Sequence, residues 1–263
     1  MKPPSCSERS CLCCNPGHTP LRTWEPELGG MERLVFSLTL LVTCLALRQD
    51  LTGKVFTFPL ESDTTHVKLV ADKAKNLLTV TVCLRYFSDL RRSQSLFSLA
   101  TPSSDNGFLF FKPELGVYNM YVLGSEATFW GLPDRLSEWV SLCGTWDSDT
   151  GLAQLWVDGK PSSRKALKPG GTISTPHSIV LGQEQDSYGG SFDKGQSFVG
   201  LITDVHMWDH VLPPLDIHLF AEGSTFAPGN VLEWGDMEYT RQGQVIVEDK
   251  QSPVWQTEIS KKH

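Results

Sequence analysis

Residues 181–196, LGQEQDSYGGSFDKGQ, gather oxygen donors at close spacing. Glu184 and Asp186 stand two apart with Gln185 between them. Asp193 and Gln196 follow beyond the paired glycines Gly189 and Gly190. Carboxylates two residues apart converge where a loop bends, and the main-chain carbonyl between them can face the same point. Calcium takes six to eight oxygen ligands in flexible geometry, so such a loop supplies part of a site. The other oxygens must come from elsewhere, and Asp105-Asn106, in a polar turn ahead of FLFFK, is an apt source. Spacing alone leaves a cation site and a solvated polar turn both open. Glycoside hydrolysis fits poorly, because a retaining hydrolase sets a second carboxyl about 5 Å from the first. The residues after Asp186 are Ser187, Tyr188 and Gly189, with no third carboxylate.

Other chemical signals are weaker. Asp147-Ser-Asp149-Thr-Gly151 begins like an EF-hand loop. Its glycine falls one position early, however, and no glutamate closes it at position twelve, so a hairpin turn is expected. His206, His210 and His218 share no ligand spacing and read as core or surface residues. Cys6, Cys11, Cys13 and Cys14, with His18 alone nearby, lack the second ligand pair of a zinc site. There is no phosphate-binding glycine loop and no nucleophile elbow. The chain reads as a binding protein rather than an enzyme.

A net charge of −7 argues against a nucleic-acid partner and fits a local carboxylate cluster. Residues 31–47, MERLVFSLTLLVTCLAL, have the layout of a secretory leader and are short for a membrane span. Cleavage is expected between Ala46 and Gln49. We therefore divide the chain into an N-terminal extension (1–30), a leader (31–48) and one domain (49–263). The extension is rich in Pro, Cys and Gly and is expected to be disordered. Within the domain only Cys83 and Cys143 remain, and a cysteine pair in a secreted chain reads as a disulfide. Closing a loop of that length is worth about 4 kcal/mol by chain-entropy arguments.

These residues must be positioned by strands. VFTFPL, VKLVA, LLTVTVCLRYF, FLFFK, VYNMYVL and EWVSLCGTW succeed one another with turn residues between them. In LLTVTVCLRYF, alternation puts Leu78, Val80, Val82 and Leu84 on one face and Thr79, Thr81, Cys83 and Arg85 on the other. Asp158-Gly159 suits a two-residue hairpin. One short helix is expected after Pro213-Pro214, ended by Gly223. The pattern predicts an all-β fold, a two-sheet antiparallel sandwich forming one domain. Trp139, Trp146, Trp156, Trp208, Trp234 and Trp255 are expected mainly in its core.

Ser141-Leu-Cys143-Gly-Thr145-Trp146-Asp-Ser148 resembles the pentraxin signature, His-x-Cys-x-Ser/Thr-Trp-x-Ser/Thr. IVLGQEQDSYGG, QSFVG, MWDHVLPP and DLTGKVFTFP are also similar to the short pentraxins, so the resemblance covers nearly the whole domain. Ser141 departs from it by standing where the signature has His, and a local packing change is expected there. The resemblance implies a flattened jelly roll of lectin or laminin-G-like type with one short helix, assembled as a homopentamer. It implies two calcium ions per protomer: one held by Asp105, Asn106, Glu184, the Gln185 carbonyl and Asp186. The second shares Glu184 and Asp186 and adds Gln196, with Asp193 as a further candidate. Phe111 and Glu126 match the residues that pack and face a choline group in some members. Tyr121 matches a tyrosine that other members set beside the calcium. The implied ligands are phosphocholine or phosphoethanolamine head groups, or anionic carbohydrates, and the implied role is secreted pattern recognition in innate immunity, with complement components as further partners. No Asn-x-Ser/Thr sequon occurs, so no N-glycan is expected.

Overall fold

The computed structural model describes residues 48–71 and 75–251. The expected extension, all of the leader but Arg48, and Trp255 lie outside the described residues.

Among the described residues fifteen strands pair in two antiparallel sheets. The larger holds β1 (Lys54–Phe58), β3 (Thr79–Phe87), β8 (Trp139–Asp147), β9 (Leu152–Val157), β10 (Lys160–Pro161), β11 (Lys165–Ala166), β13 (Gly200–Trp208) and β15 (Ile246–Asp249). Its order is β10-β9-β8-β3-β13-β1-β15, with β11 also on β9. The other holds β2 (His66–Val70), β4 (Gln94–Thr101), β5 (Ser104–Lys112), β6 (Val117–Val122), β7 (Ser125–Trp130), β12 (Ser178–Leu181) and β14 (Glu238–Gln242). Its order is β14-β2-β12-β4-β5-β6-β7. The all-β sandwich expected from alternation is therefore present.

Strand periodicity decides what enters the core. Phe56, Phe58, Val80, Val82 and Leu84 of one sheet share a buried cluster with Phe108, Phe110, Met120, Val122 and Phe129 of the other. Leu78 is an exception to the predicted face: it precedes β3 and is 55% exposed. On the other face of β3, Thr81 and Cys83 are buried. The reason is the segment His210–Leu212, hydrogen-bonded to Thr81, and the helix α1 (Pro214–Glu222), which packs over Cys83. Ile217, Phe220, Leu212, Trp156 and Trp208 form a second apolar cluster there with Cys83 and Cys143. Pro at its start and Gly223 in the left-handed region at its end bound the helix as expected.

Cys83 and Cys143 face each other directly across β3 and β8 and are disulfide-bonded. Asp158 and Gly159 both take positive φ (49° and 74°) in the hairpin from β9 to β10, the geometry of a type I′ turn. Asp147–Gly151 is the expected turn, with Asp147 Oδ1 accepting from the Asp149 amide at 2.9 Å. Trp146, Trp156, Trp208 and Trp234 are buried, while Trp139 is only partly so. His206 is buried with Nδ1 3.2 Å from Glu233 Oε2, and His210 is exposed. Ser141 is buried and its amide donates to Asp158 Oδ1 at 2.9 Å, which ties the signature strand to the hairpin tip.

Candidate metal centre

After β12 the chain leaves the seven-stranded sheet and crosses to β13 in the other. Two buried glutamines anchor this crossing. Gln183 Nε2 donates to the carbonyls of Ser62 (2.6 Å) and Thr65 (3.0 Å). Gln185 Nε2 donates to the carbonyls of Ser98 and Ser178, both at 3.0 Å, and its Oε1 accepts from the Gly189 amide at 3.0 Å. With the Gln185 amide spent on the scaffold, only its main-chain carbonyl is left as a ligand. Alternation then leaves Glu184 and Asp186 on the opposite side of the segment.

The loop turns back at Ser187–Gly190, where two backbone bonds pair these residues. Gly189 and Gly190 both lie in this bend. Of the two, only Gly189 takes a left-handed φ (83°), and Ser191 supplies the second left-handed residue (60°). A short 3-10 turn, Lys194–Gln196, follows, capped by Asp193 Oδ1 accepting from the Gly195 amide at 2.8 Å. Arg92 Nη1 donates to the carbonyls of Ser197 (2.8 Å) and Gly195 (3.2 Å), which holds the turn against the start of β4.

The fold brings Asp105, Asn106, Asp186 and Asp193 into electrostatic reach of Glu184. Burial first, then the Asp186 charge, pushes the Glu184 carboxyl up to about 7; Asp105 and Asp193 push the same way, while a hydrogen bond from Asn106 opposes them. Asp186 is raised by burial and by the charges of Asp105 and Asp193. Such mutual repulsion is what a bound cation relieves. Asn106 Oδ1 of this cluster is buried with no hydrogen-bond partner, and so is Gln196 Oε1 further along the crossing. An unpaired buried acceptor is costly unless something coordinates it. Among the described residues no group of three or more His, Cys, Asp and Glu side chains has the geometry of a metal cluster. The donor set here is a mixture of carboxylates, amides and a backbone carbonyl, all oxygen, which suits a hard cation such as calcium.

Beside this cluster lies the outer face of β5, β6 and β7. Register pairs Phe111 with Asn119 and Tyr121 with Glu126. Alternation therefore sets Phe111, Asn119, Tyr121 and Glu126 on one face, opposite the core residues Phe110, Met120 and Ala127. Burial raises the Tyr121 hydroxyl, a hydrogen bond with Asn119 opposes this, and the charges of Glu126 and Glu184 raise it further. That link from Tyr121 to Glu184 joins the pocket residues to the carboxylate cluster. Asn119, which donates from Nδ2 to Glu126 Oε1, was not singled out from the sequence. Only its register opposite Phe111 could have drawn attention to it. A separate cavity of about 230 Å³ lies against β8, β9 and the start of α1, lined by Trp156, Arg164, Leu212 and Pro214 among others.

An antiparallel two-sheet jelly roll with an oxygen-rich loop on one face defines a lectin-like binding module. Comparison with known proteins makes this specific. Residues 54–249 match the model of the Pentaxin family, a span that contains every candidate ligand residue. The chain is 44% identical to mouse serum amyloid P-component over 228 residues, covering 86% of this chain and all of that one. It is 43% identical to pig C-reactive protein over 225 residues, 85% of this chain and all of that one. Among solved structures, the heptameric SAP-like pentraxin of Limulus polyphemus superposes with a TM-score of 0.70 at 25% identity, covering 77% of this chain and 97% of that one. The protein belongs to the pentaxin family.

Proposed function

We propose that the protein is a secreted, calcium-dependent pattern-recognition protein of innate immunity that binds phosphoryl head groups or anionic carbohydrates. The observation that carries this reading is the buried, unpartnered amide oxygen of Asn106 within reach of the mutually repelling carboxylates Glu184 and Asp186, with a second such oxygen on Gln196 in the same crossing. Asp105, Asn106, Glu184, the Gln185 carbonyl and Asp186 would hold one calcium ion. Glu184, Asp186 and Gln196 would hold a second, with Asp193 as a further ligand. The bound ions supply positive charge for a phosphate or carboxylate oxygen. Phe111, Tyr121 and Glu126 flank that position and take the rest of the head group; a cation against an aromatic face gains about 0.5–2 kcal/mol.

We read this chain as a binding protein rather than an enzyme. The Limulus protein is heptameric, which supports an oligomer, and we take a ring-shaped homopentamer as the working form of this chain. A ring carries its sites together and gains avidity on a dense surface. Complement components are proposed downstream partners. Among the described residues no helix is long and apolar enough to cross a membrane.

The test is retention on immobilised phosphocholine and phosphoethanolamine in calcium, followed by elution with a chelator. Binding that ignores the chelator, or no binding in calcium, rejects the mechanism in favour of a structural or chaperone-like oligomer that makes no head-group contact.

A further inference from the structure

The cavity of about 230 Å³ against β8, β9 and the start of α1 belongs to the eight-stranded sheet, and no residue of the candidate metal centre lines it. Sheet register builds its floor. Alternation turns Gln154 and Trp156 away from the core residues Ala153, Leu155 and Val157, onto the outer face of β9. The pairing of β11 with β9 sets Lys165 against Ala153, which brings Arg164 opposite Gln154. Arg164 Nε donates to Gln154 Oε1 at 3.1 Å, and Gln154 Nε2 is held in turn by the Ser162 carbonyl at 2.8 Å. The guanidinium is thus fixed by a neutral amide. Among the described residues it makes no ion pair and no other hydrogen bond, so both Nη groups keep their donors.

Trp156 forms a wall of the same cavity and is only 7% exposed, and its indole Nε1–H is buried without a hydrogen-bond partner. An indole nitrogen only donates, so an acceptor from outside the protein is what answers it. Asp147 also lines the cavity. Its Oδ1 accepts from the Asp149 amide and its Oδ2 from the Thr150 hydroxyl at 3.1 Å, so its oxygens serve their own turn. Leu152, Val211, Leu212 and Pro214 complete an apolar side, on which Leu152 and Val211 are exposed. The lining therefore joins a fixed positive fork and an unanswered N–H to apolar surface. A carboxylate matches the first two, because its oxygens accept from a guanidinium in a bidentate pair and from further donors. A hydrocarbon or aromatic body matches the third. The volume falls below the roughly 300–1,000 Å³ of sites for drug-sized ligands, which favours a compact body.

We propose that this cavity is a second ligand site, that it takes small aromatic carboxylates, and that it works without calcium. Arg164 and Trp156 are its anion-binding residues, and Leu152, Val211 and Pro214 hold the ring. The site shares no residue with the candidate metal centre, so it stands apart from the calcium-bridged reading.

The test uses the full secreted protein in chelator, which removes any competing anion site at bound calcium. Affinities are measured by titration calorimetry for phenylpropionate, its neutral amide phenylpropionamide, and propionate, which lacks the ring. Phenylpropionate is expected to bind about tenfold more tightly than either analogue. Arg164→Gln, a change at an exposed position, should remove that advantage over the amide. Trp156→Phe keeps a ring in the wall, removes the N–H and should weaken phenylpropionate about fivefold. If that variant fails to fold, the comparison of acid with amide and the Arg164 variant decide the question. Glu184→Gln should leave the binding unchanged. No binding of phenylpropionate, equal affinity for acid and amide, or an unchanged affinity in Arg164→Gln or in folded Trp156→Phe overturns the inference. Binding that requires calcium, or that is lost in Glu184→Gln, overturns it as well by placing the acid at the metal centre.

Discussion

At the scale of single residues, Glu184 is the pivot of the candidate centre. It is nearly buried, and the charges of Asp186, Asp105 and Asp193 add to burial in pushing its carboxyl up to about 7. The folded, calcium-free protein thus holds a proton on Glu184 that the unfolded chain releases near an ordinary glutamate value. Stability of the calcium-free protein should therefore fall as pH rises from about 4.5 through 7, and the loss should be complete above that. Calcium should suppress this loss, and its binding near pH 6 should release a proton, which titration calorimetry in buffers of different ionisation heat will show. Glu184→Gln removes the charge and keeps the shape. It should abolish calcium-dependent retention while leaving the melting temperature of the calcium-free protein at pH 8 unchanged or higher. A variant that retains calcium-dependent binding would remove Glu184 from the ligand set.

At the scale of elements, the loop owes its shape to residues that face inward. The Gln185 side chain is fully buried and its amide joins β4, β12 and the Gly189 turn through three partners. Gln185→Leu would leave two sheet carbonyls and one amide without this partner, at a cost of about 3 kcal/mol. It should also weaken calcium binding, although the Gln185 carbonyl itself is kept; denaturant melts and calcium titrations measure the two effects. The disulfide acts on a different pair of elements. It joins facing positions of β3 and β8 beneath α1 and closes a loop of 60 residues. Replacing both cysteines by alanine should cost about 4 kcal/mol in chemical denaturation. A much smaller loss would mean that burial against Trp156, Trp208 and Phe220 already holds this region in place.

At the scale of the whole molecule, the candidate ligand oxygens come from two separate parts of the chain. The start of β5, rather than the polar turn expected from the sequence, supplies Asp105 and Asn106, and the crossing from β12 to β13 supplies the rest. Pairing of β4 with both β12 and β5 is what sets the two segments side by side. In the proposed ring of protomers the site would be repeated. Retention on a surface should rise steeply with ligand density, because the second and later contacts are intramolecular. Surface binding measured over a range of phosphoethanolamine densities checks this. Off-rates that do not change with density would argue against several sites engaging together.

The strand pattern, the bounds of the helix, the hairpin at Asp158-Gly159 and the facing of Val80, Val82 and Leu84 were legible in the sequence, since each follows from a local period or a local φ requirement. Candidate oxygens were legible as well, because Glu184 and Asp186 stand close together, though spacing alone could not separate a cation site from a solvated turn. What the sequence could not show depended on contacts between distant segments. Thr81 and Cys83 are buried because the segment His210–Leu212 and α1 lie over them, some 130 residues further along the chain. Leu78 is exposed because β3 begins one residue later. Asn119 carries no motif, and its bond to Glu126 exists only through the register of β6 and β7. Local periodicity determined the elements of this protein, and sheet pairing alone decided which of their side chains share a site.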